Sequence, residues 1–355
     1  VNDWEDHFEQ VERRESRADR KRARAADRSK YKKSNTQKQK VPEIEGGERG
    51  RVVSITGLGI EVAAVDGLLQ CTVRGSLKKE ATRMRRLVVV GDIVRFERTT
   101  EGEGVISAIE PRTTLLTRSD PIHPKKQHPI AANIDQVLIT ASVVSPPLKP
   151  GLIDRYILAA KRGLMDAAIV INKVDLLKDG SEERAVFDEL MATYQKLGYP
   201  ILAVSTVTGE GIEGLLEQME GKTSAFSGQS GTGKSSLINA TLGIERETGA
   251  VVARTRKGTH TTTTAQLIHV GKEGWCIDTP GIKSFGVWEL QPDEIESYFE
   301  EISEIGRSCR YPDCTHTCEP MCAVREAVES GEISQLRYNS YIALRNWAIN
   351  PPKKR

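Results

Sequence analysis

The chain has 355 residues, 38% hydrophobic and 28% charged, with a formal net charge of +2. Such a length and balance predict two or three domains of ordinary globular composition. No apolar run approaches the roughly eighteen residues of a membrane-spanning helix, the charged N-terminus lacks a secretory pattern, and six cysteines are too few for a disulfide scaffold.

Residues 1–45 read as an extension. Positions 1–11 carry four acidic residues and no Lys or Arg, whereas Glu12 to Lys40 holds thirteen Lys or Arg against four Asp or Glu. Apolar residues are nearly absent, so no core can form there. A solvated, disordered tail and a basic arm on RNA phosphates are both compatible with this composition.

Residues 46–118 contain five short Val- and Ile-rich runs: RGRVVSI, GIEVAAV, LLQCTVRG, VVVGDIVRFER and GVISAIEPR. Gly, Asp and Thr separate them, which predicts a small β-barrel, with the OB-fold as its natural form. Phe96 is the one aromatic in this segment, so base stacking cannot dominate any nucleic-acid contact. Arg74, Lys78, Lys79, Arg83, Arg85 and Arg86 flank the long central connection. They form either a solvated loop or a set of backbone contacts to RNA.

Residues 119–290 alternate strands and helices, which predicts a mostly parallel sheet. Ser119 to Ile130, with three prolines, reads as a linker. The strand IDQVLITAS follows, then a helix over about 151–162 and the strand AAIVI. From Glu182 to Leu197 the spacing of Phe187, Leu190, Met191, Tyr194 and Leu197 predicts an amphipathic helix ended by Gly198. PILAVS is the next strand, GEGIEGLLEQM the next helix, and Thr223 to Ser227 a further strand.

Three motifs end predicted strands here. Asn172-Lys173-Val174-Asp175 follows AAIVI. A carboxylate at Asp175 can accept from both N1–H and the exocyclic amine of guanine, a donor pair that adenine lacks. Asn172 would brace the loop and the Lys173 stem would cover the base. Gly228-Gln229-Ser230-Gly231-Thr232-Gly233-Lys234-Ser235-Ser236 fits the phosphate-loop pattern G-x-x-x-x-G-K-[ST]. Glycines let successive backbone N–H groups face phosphate oxygens, Lys234 reaches the β- and γ-phosphates, and Ser235 holds Mg²⁺. The helix that follows turns its positive end to the same anion. Asp278-Thr279-Pro280-Gly281 after the run WCI matches D-x-x-G on the Mg²⁺ side. Together the three predict a GTP site. Their order is unusual, because N-K-x-D precedes the phosphate loop, as in a circularly permuted chain whose old termini lay close together.

Between phosphate loop and D-x-x-G lies Gly258-Thr259-His260-Thr261-Thr262-Thr263-Thr264, either a Thr-rich edge strand or the segment that senses the γ-phosphate. Many GTPases place a water-orienting Gln after D-x-x-G; this chain has Ile282. From about 291 the stretch PDEIESYFEEI predicts a helix ending at Gly306. Cys309, Cys314, His316, Cys318 and Cys322 then fall within fourteen residues, a density that points to structural zinc rather than disulfides. With few apolar residues nearby, the metal is expected to supply much of the local folding energy, roughly 10–16 kcal/mol in finger peptides. The helix SQLRYNSYIALRNW and a PPKKR tail complete residues 291–355.

NKVD, GQSGTGKSS, the KGTHTTT run, DTPG and the cysteine cluster together resemble the circularly permuted GTPases of small-ribosomal-subunit biogenesis, the RsgA family. The resemblance covers about residues 46–345. It implies a multidomain chain: a charged extension (1–45), an OB-fold barrel (46–118), an α/β circularly permuted P-loop GTPase (119–290) and a mainly helical zinc-binding domain (291–355). It implies a second guanine-side loop at Ser205-Thr206 and a Mg²⁺ shell of Ser235, Asp278 and either Thr261 or Thr262. Among the cysteines it selects Cys309, Cys314, His316 and Cys322 as zinc ligands and leaves Cys318 a bystander. It offers His260 as the residue that positions water, although a lone His is more often structural. It further implies GTP hydrolysis to GDP and phosphate by a monomer with no membrane partner, in the bacterial cytoplasm, with an organellar location left open. Stimulation by the small ribosomal subunit, contacts to its rRNA and proteins, and a role late in its maturation follow from the same resemblance. Two rival readings stay open at this point: a binding module whose nucleotide only sets RNA affinity, and an ATPase.

Overall fold

The computed structural model describes residues 46–57, 59–75, 77, 88–119, 127–247, 265–271, 273–278 and 291–349. The expectations for the extension, most of the basic connection and the switch run fall outside them.

Five strands close a barrel: β1 (Glu48–Thr56), β2 (Gly59–Ala64), β3 (Gly67–Val73), β4 (Ile93–Thr100) and β5 (Glu103–Ile109). Their order is β1-β2-β3-β5-β4, with β4 returning to β1. Alternation turns Val52, Val62, Leu69, Cys71, Val94, Phe96 and Ile106 inward. Phe96 is fully buried, so the barrel's one aromatic offers no stacking face. Outside, Arg49 and Arg95 pair with Glu110, and Arg98 pairs with Glu48 and Asp66.

The register of β1 against β2 shifts between Val52 and Ser54. A bulge of this kind redirects a strand. Val52 packs inside the barrel and Val53, on the opposite face of the strand, packs into the neighbouring α/β core, while the extra residue shifts β1 by one position against β2 from Ser54 onward. Ser54 then pairs with Gln266 of the α/β sheet, so barrel and sheet form one eleven-stranded ladder.

The stretch read as a linker is in part a hairpin. β6 (Leu115–Ser119) and β7 (Gln127–Ala132) pair antiparallel. Pro129 is accommodated opposite Thr117, next to a register shift, where an edge strand tolerates a missing N–H.

The second part of the ladder runs β10 (Ile201–Val204), β9 (Asp166–Asn172), β8 (Gln136–Ser142), β11 (Thr223–Ser227), β13 (Gly274–Asp278) and β12 (Gln266–Val270). All pairings are parallel except β12–β13. The central strands β8, β9 and β11 are buried along nearly their whole length because helices cover both faces of the sheet. On one side α1 (Pro150–Arg162) and α2 (Glu182–Lys196) bury Ile153, Ile157, Phe187, Leu190 and Tyr194 against Ile139, Ile169 and Ile171. On the other, α3 (Ile212–Met219) and α4 (Lys234–Glu247) bury Leu215, Met219, Leu237 and Ile238 against Leu138 and Val170.

The helix expected from about 291 to Gly306 is broken. Two single turns, Pro292–Glu294 and Glu296–Tyr298, precede α5 (Glu300–Gly306). Phe299 sits between the second turn and α5 at φ −108° and ψ 81°, outside the helical region, and its ring is buried in the core. Burying that ring outweighs continuing the helix. α6 (Ala323–Glu329) and α7 (Gln335–Ile349) follow.

α7 lies along α1 through a buried charge cluster. Arg337, 2% exposed, donates to Asp154, which is also buried, and to Glu301 at 2.6 Å. Its guanidinium also stacks 4.3 Å above the Phe299 ring, and Tyr194 donates to Asp154 at 2.5 Å. Burial alone would lower the Arg337 pKa, but Asp154 and Glu301 more than offset it and hold the guanidinium charged. The sequence predicts few apolar residues near the cysteines, but the fold brings distant ones to them. Cys314 and Cys322 share the large core cluster with Phe299, Ile302, Val324, Tyr341 and Leu344.

Candidate nucleotide site and cysteine–histidine cluster

Parallel sheets bind ligands at the carboxyl ends of their strands. The NKVD loop leaves β9, Ser205-Thr206 leaves β10, the phosphate loop leaves β11, and Asp278 ends β13. The ladder therefore brings all four to one edge, in spite of their permuted order.

The phosphate loop is fixed by close backbone approach. Gly228 has φ 151°, and a Cβ there would lie 2.1 Å from the Thr140 carbonyl of β8. Gly233 has φ 93°, and a Cβ there would lie 2.3 Å from Asn172 Nδ2. Only glycine fits either position. Asn172, buried, donates to the Thr232 carbonyl at 2.9 Å and so ties the NKVD loop to the phosphate loop. Lys234 Nζ donates to the Gly228 and Gln229 carbonyls at 2.7 Å each, which holds the ammonium over the loop. Thr232 Oγ1 closes the turn onto Gln229 O at 3.0 Å. Ser230, Gly231, Ser235 and Ser236 are exposed at the mouth.

On the base side, Lys173 adopts a left-handed backbone, φ 67°, and its ammonium donates to the Ser145 carbonyl. Ser205 is buried; its hydroxyl donates to Asp175 Oδ1 at 2.6 Å and accepts from the backbone N–H of Val207 and of Thr208. That leaves Asp175 exposed but oriented, and Val174 and Thr206 are half-buried. His260, Thr261, Thr262 and Gly281 lie outside the described residues, and Asp278 is placed by its backbone alone.

The second cluster is compact. The ligand atoms of Cys309, Cys314, His316 and Cys322 all lie within 4.8 Å of one another, a set that could hold a metal ion. His316 Nδ1 stands 3.5 Å from Cys309 Sγ and 3.4 Å from Cys322 Sγ. Its Nε2 lies 3.4 Å from a Glu296 carboxylate oxygen but is not hydrogen-bonded to it. Cys318 is exposed and outside the set. Burial, with help from the Cys309 and Cys322 sulfurs, pushes the Cys314 thiol up to about 12. Tyr338 Oη donates to His316 O at 2.7 Å, and Tyr341 Oη to Thr315 O at 3.1 Å. Glu319 accepts from the backbone N–H groups of Thr315, Thr317 and Cys318.

Sequence reasoning did not find Thr140, Ser145, Glu296 or Glu319. The two acidic residues read as ordinary surface charge, and the other two act through backbone carbonyls, which carry no sequence signal.

Comparison with known proteins agrees with this geometry. The family model described as RsgA GTPase matches residues 109–288. A Bacteroides fragilis protein named small ribosomal subunit biogenesis GTPase RsgA is 39% identical over 298 residues, spanning 83% of this chain and 96% of that protein. A Bacteroides thetaiotaomicron relative named small ribosomal subunit biogenesis GTPase RsgA 2 is 38% identical over 296 residues, 83% of this chain and 95% of its own. Among solved structures, YjeQ from Thermotoga maritima matches with a TM-score of 0.69 at 33% identity, covering 86% of this chain and 99% of that one. YloQ, described as a circularly permuted GTPase, matches with a TM-score of 0.68 at 27% identity, covering 89% and 100%.

Proposed function

This chain belongs to the RsgA GTPase family and is a GTP-hydrolysing enzyme, and from that premise we propose that it serves the maturation of the small ribosomal subunit. It acts late, is stimulated by that subunit, and leaves after hydrolysis as a monomer in the bacterial cytoplasm. The observation that carries the nucleotide assignment is the Asn172–Thr232 bond, which makes base loop and phosphate loop one unit.

In this reading Asp175, held by Ser205, accepts the two guanine donors, the Lys173 stem covers the base, and Ser205-Thr206 closes the other side. Backbone N–H groups from Gly228 to Ser236 and the α4 N-terminus take the phosphates, with Lys234 on the β- and γ-oxygens. Ser235 and Asp278, with Thr261 or Thr262, would hold Mg²⁺, which neutralises phosphate charge when bound. Gly281 would sense the γ-phosphate. Hydrolysis rests on positioning and electrostatics rather than covalent chemistry. Ile282 cannot orient water, so His260 or a group from the ribosome does so. A closed set of soft thiolates with one imidazole fits structural zinc, which Cys309, Cys314, His316 and Cys322 would hold at one ion per chain. The basic connection and extension supply backbone contacts to rRNA.

Sedimentation with purified subunits tests the partner. Co-sedimentation with small but not large subunits, stronger with a non-hydrolysable GTP analogue than with GDP, is the expected result. Equal binding to both subunits, or none, would overturn the assignment.

A further inference from the structure

The turn that leaves β8 is tied to both nucleotide loops, and no motif announces it. Ser142, the last residue of β8, pairs with Asn172 at the last rung of the β8–β9 ladder. It is 1% exposed, and its hydroxyl donates to the Pro146 carbonyl at 2.8 Å. Val143 N–H donates to Asn172 O at 3.2 Å. Between these two bonds the chain turns out to the surface. Ser145 is exposed at φ 47°, a conformation that a residue with a side chain holds only when its surroundings compel it. Its carbonyl takes the Lys173 ammonium. Pro146 reaches the other loop, with its Cδ 3.5 Å from where a Cβ on Gly231 would stand.

A plain connection between β8 and α1 needs none of this. The turn holds a left-handed residue at its exposed Ser145, anchors Val143 in the core, and directs Val143 N–H and the Ser145 carbonyl to the NKVD loop. We propose that Ser142–Pro146 is a third wall of the nucleotide site, and that Ser142 is a positioning residue that sets Lys173 over the base and Gly231 at the phosphates. The inference rests on the nucleotide assignment above. Its chemical content is that Ser142 fixes the Pro146 carbonyl, which fixes the turn, and the turn's Ser145 carbonyl fixes the ammonium of Lys173. A buried hydroxyl removed from this chain leaves a carbonyl unsatisfied and the ammonium unanchored. Lys173 then samples other positions, and bound nucleotide escapes faster.

The test uses the full-length protein and a fluorescent GDP. Ser142→Ala should speed GDP dissociation about tenfold, the equivalent of about 1.4 kcal/mol. It should raise KM for GTP by a larger factor than it lowers kcat, because the turn acts on binding rather than on the water. Pro146→Ala, at a half-buried position whose loss threatens folding less, should show the same split with a smaller factor. Wild-type dissociation rates in both variants would overturn the proposal while leaving the site itself standing. Failure of the wild-type chain to bind GDP would instead overturn the nucleotide assignment. Equal losses in kcat and kcat/KM would place the turn in the chemical step and also contradict the proposal.

Discussion

Asn172 Nδ2 stands 2.9 Å from the Thr232 carbonyl, and the space it occupies is the space a side chain at position 233 would need. The base loop and the phosphate loop, sixty residues apart, are therefore assembled by one amide and one missing Cβ.

Gly233→Ala should uncouple them. A methyl 2.3 Å from Asn172 Nδ2, at φ 93°, must displace the amide or the loop. Strain of this kind costs about 1–3 kcal/mol. Nucleotide affinity should fall at least about a hundredfold, about 2.8 kcal/mol, for GTP and GDP alike. Equilibrium titration checks it, and unchanged affinity would contradict the geometry.

Breaking the Arg337 cluster should destabilise the whole chain. Arg337→Met leaves Asp154 and Glu301 without their cation, and loss of one partner from a buried pair costs about 3–5 kcal/mol. Adding Asp154→Asn should recover part of that loss, since the uncompensated charge goes with it. Denaturant unfolding of the single and double variants measures both steps.

Metal removal should loosen the cysteine region without unfolding the helices around it. Finger peptides depend on their ion for folding. Here Cys314 and Cys322 sit in a core with Phe299, Ile302, Val324 and Tyr341. A chelator should therefore release zinc and speed amide exchange over 309–322, while α7 keeps its protection against α1. Loss of protection along α7 would show the metal to be the main support.

Acid should weaken the same loop through Glu319. Burial would raise its pKa, but hydrogen bonds from Thr315 and its neighbours win and hold it at about 2. An unfolded Glu titrates at about 4.3. Because the folded value is depressed, this stabilisation is present above about pH 4.3 and is lost as pH falls towards 2. The difference in unfolding midpoint between wild type and Glu319→Gln should be largest near neutrality and shrink across that window.

What the sequence made legible is chemistry that demands residue types at set spacings. Gly228 to Ser236, Asn172 to Asp175 and the Cys/His set are of that kind, and the described geometry brings each together. Alternating and 3.6-period runs likewise foretold the barrel strands and α2. The rest depends on distant contacts. Arg337 reads as a solvated helix charge until its partner, 183 residues away, is known. The bulge that shifts β1 against β2 from Ser54 onward has no local signal, and neither does the Ser145 carbonyl. Phe299 breaks a helix that its neighbours favour, because its ring has a core to enter.

The most direct test of the whole account is the rate of GTP hydrolysis with and without purified small ribosomal subunits, with large subunits as control. Groups supplied by a partner raise GTPase rates on the order of 10³–10⁵. Turnover of the chain alone should be slow, fitting Ile282 after the D-x-x-G strand, and only small subunits should stimulate it strongly. An unchanged rate with small subunits, or equal stimulation by large ones, would contradict the account.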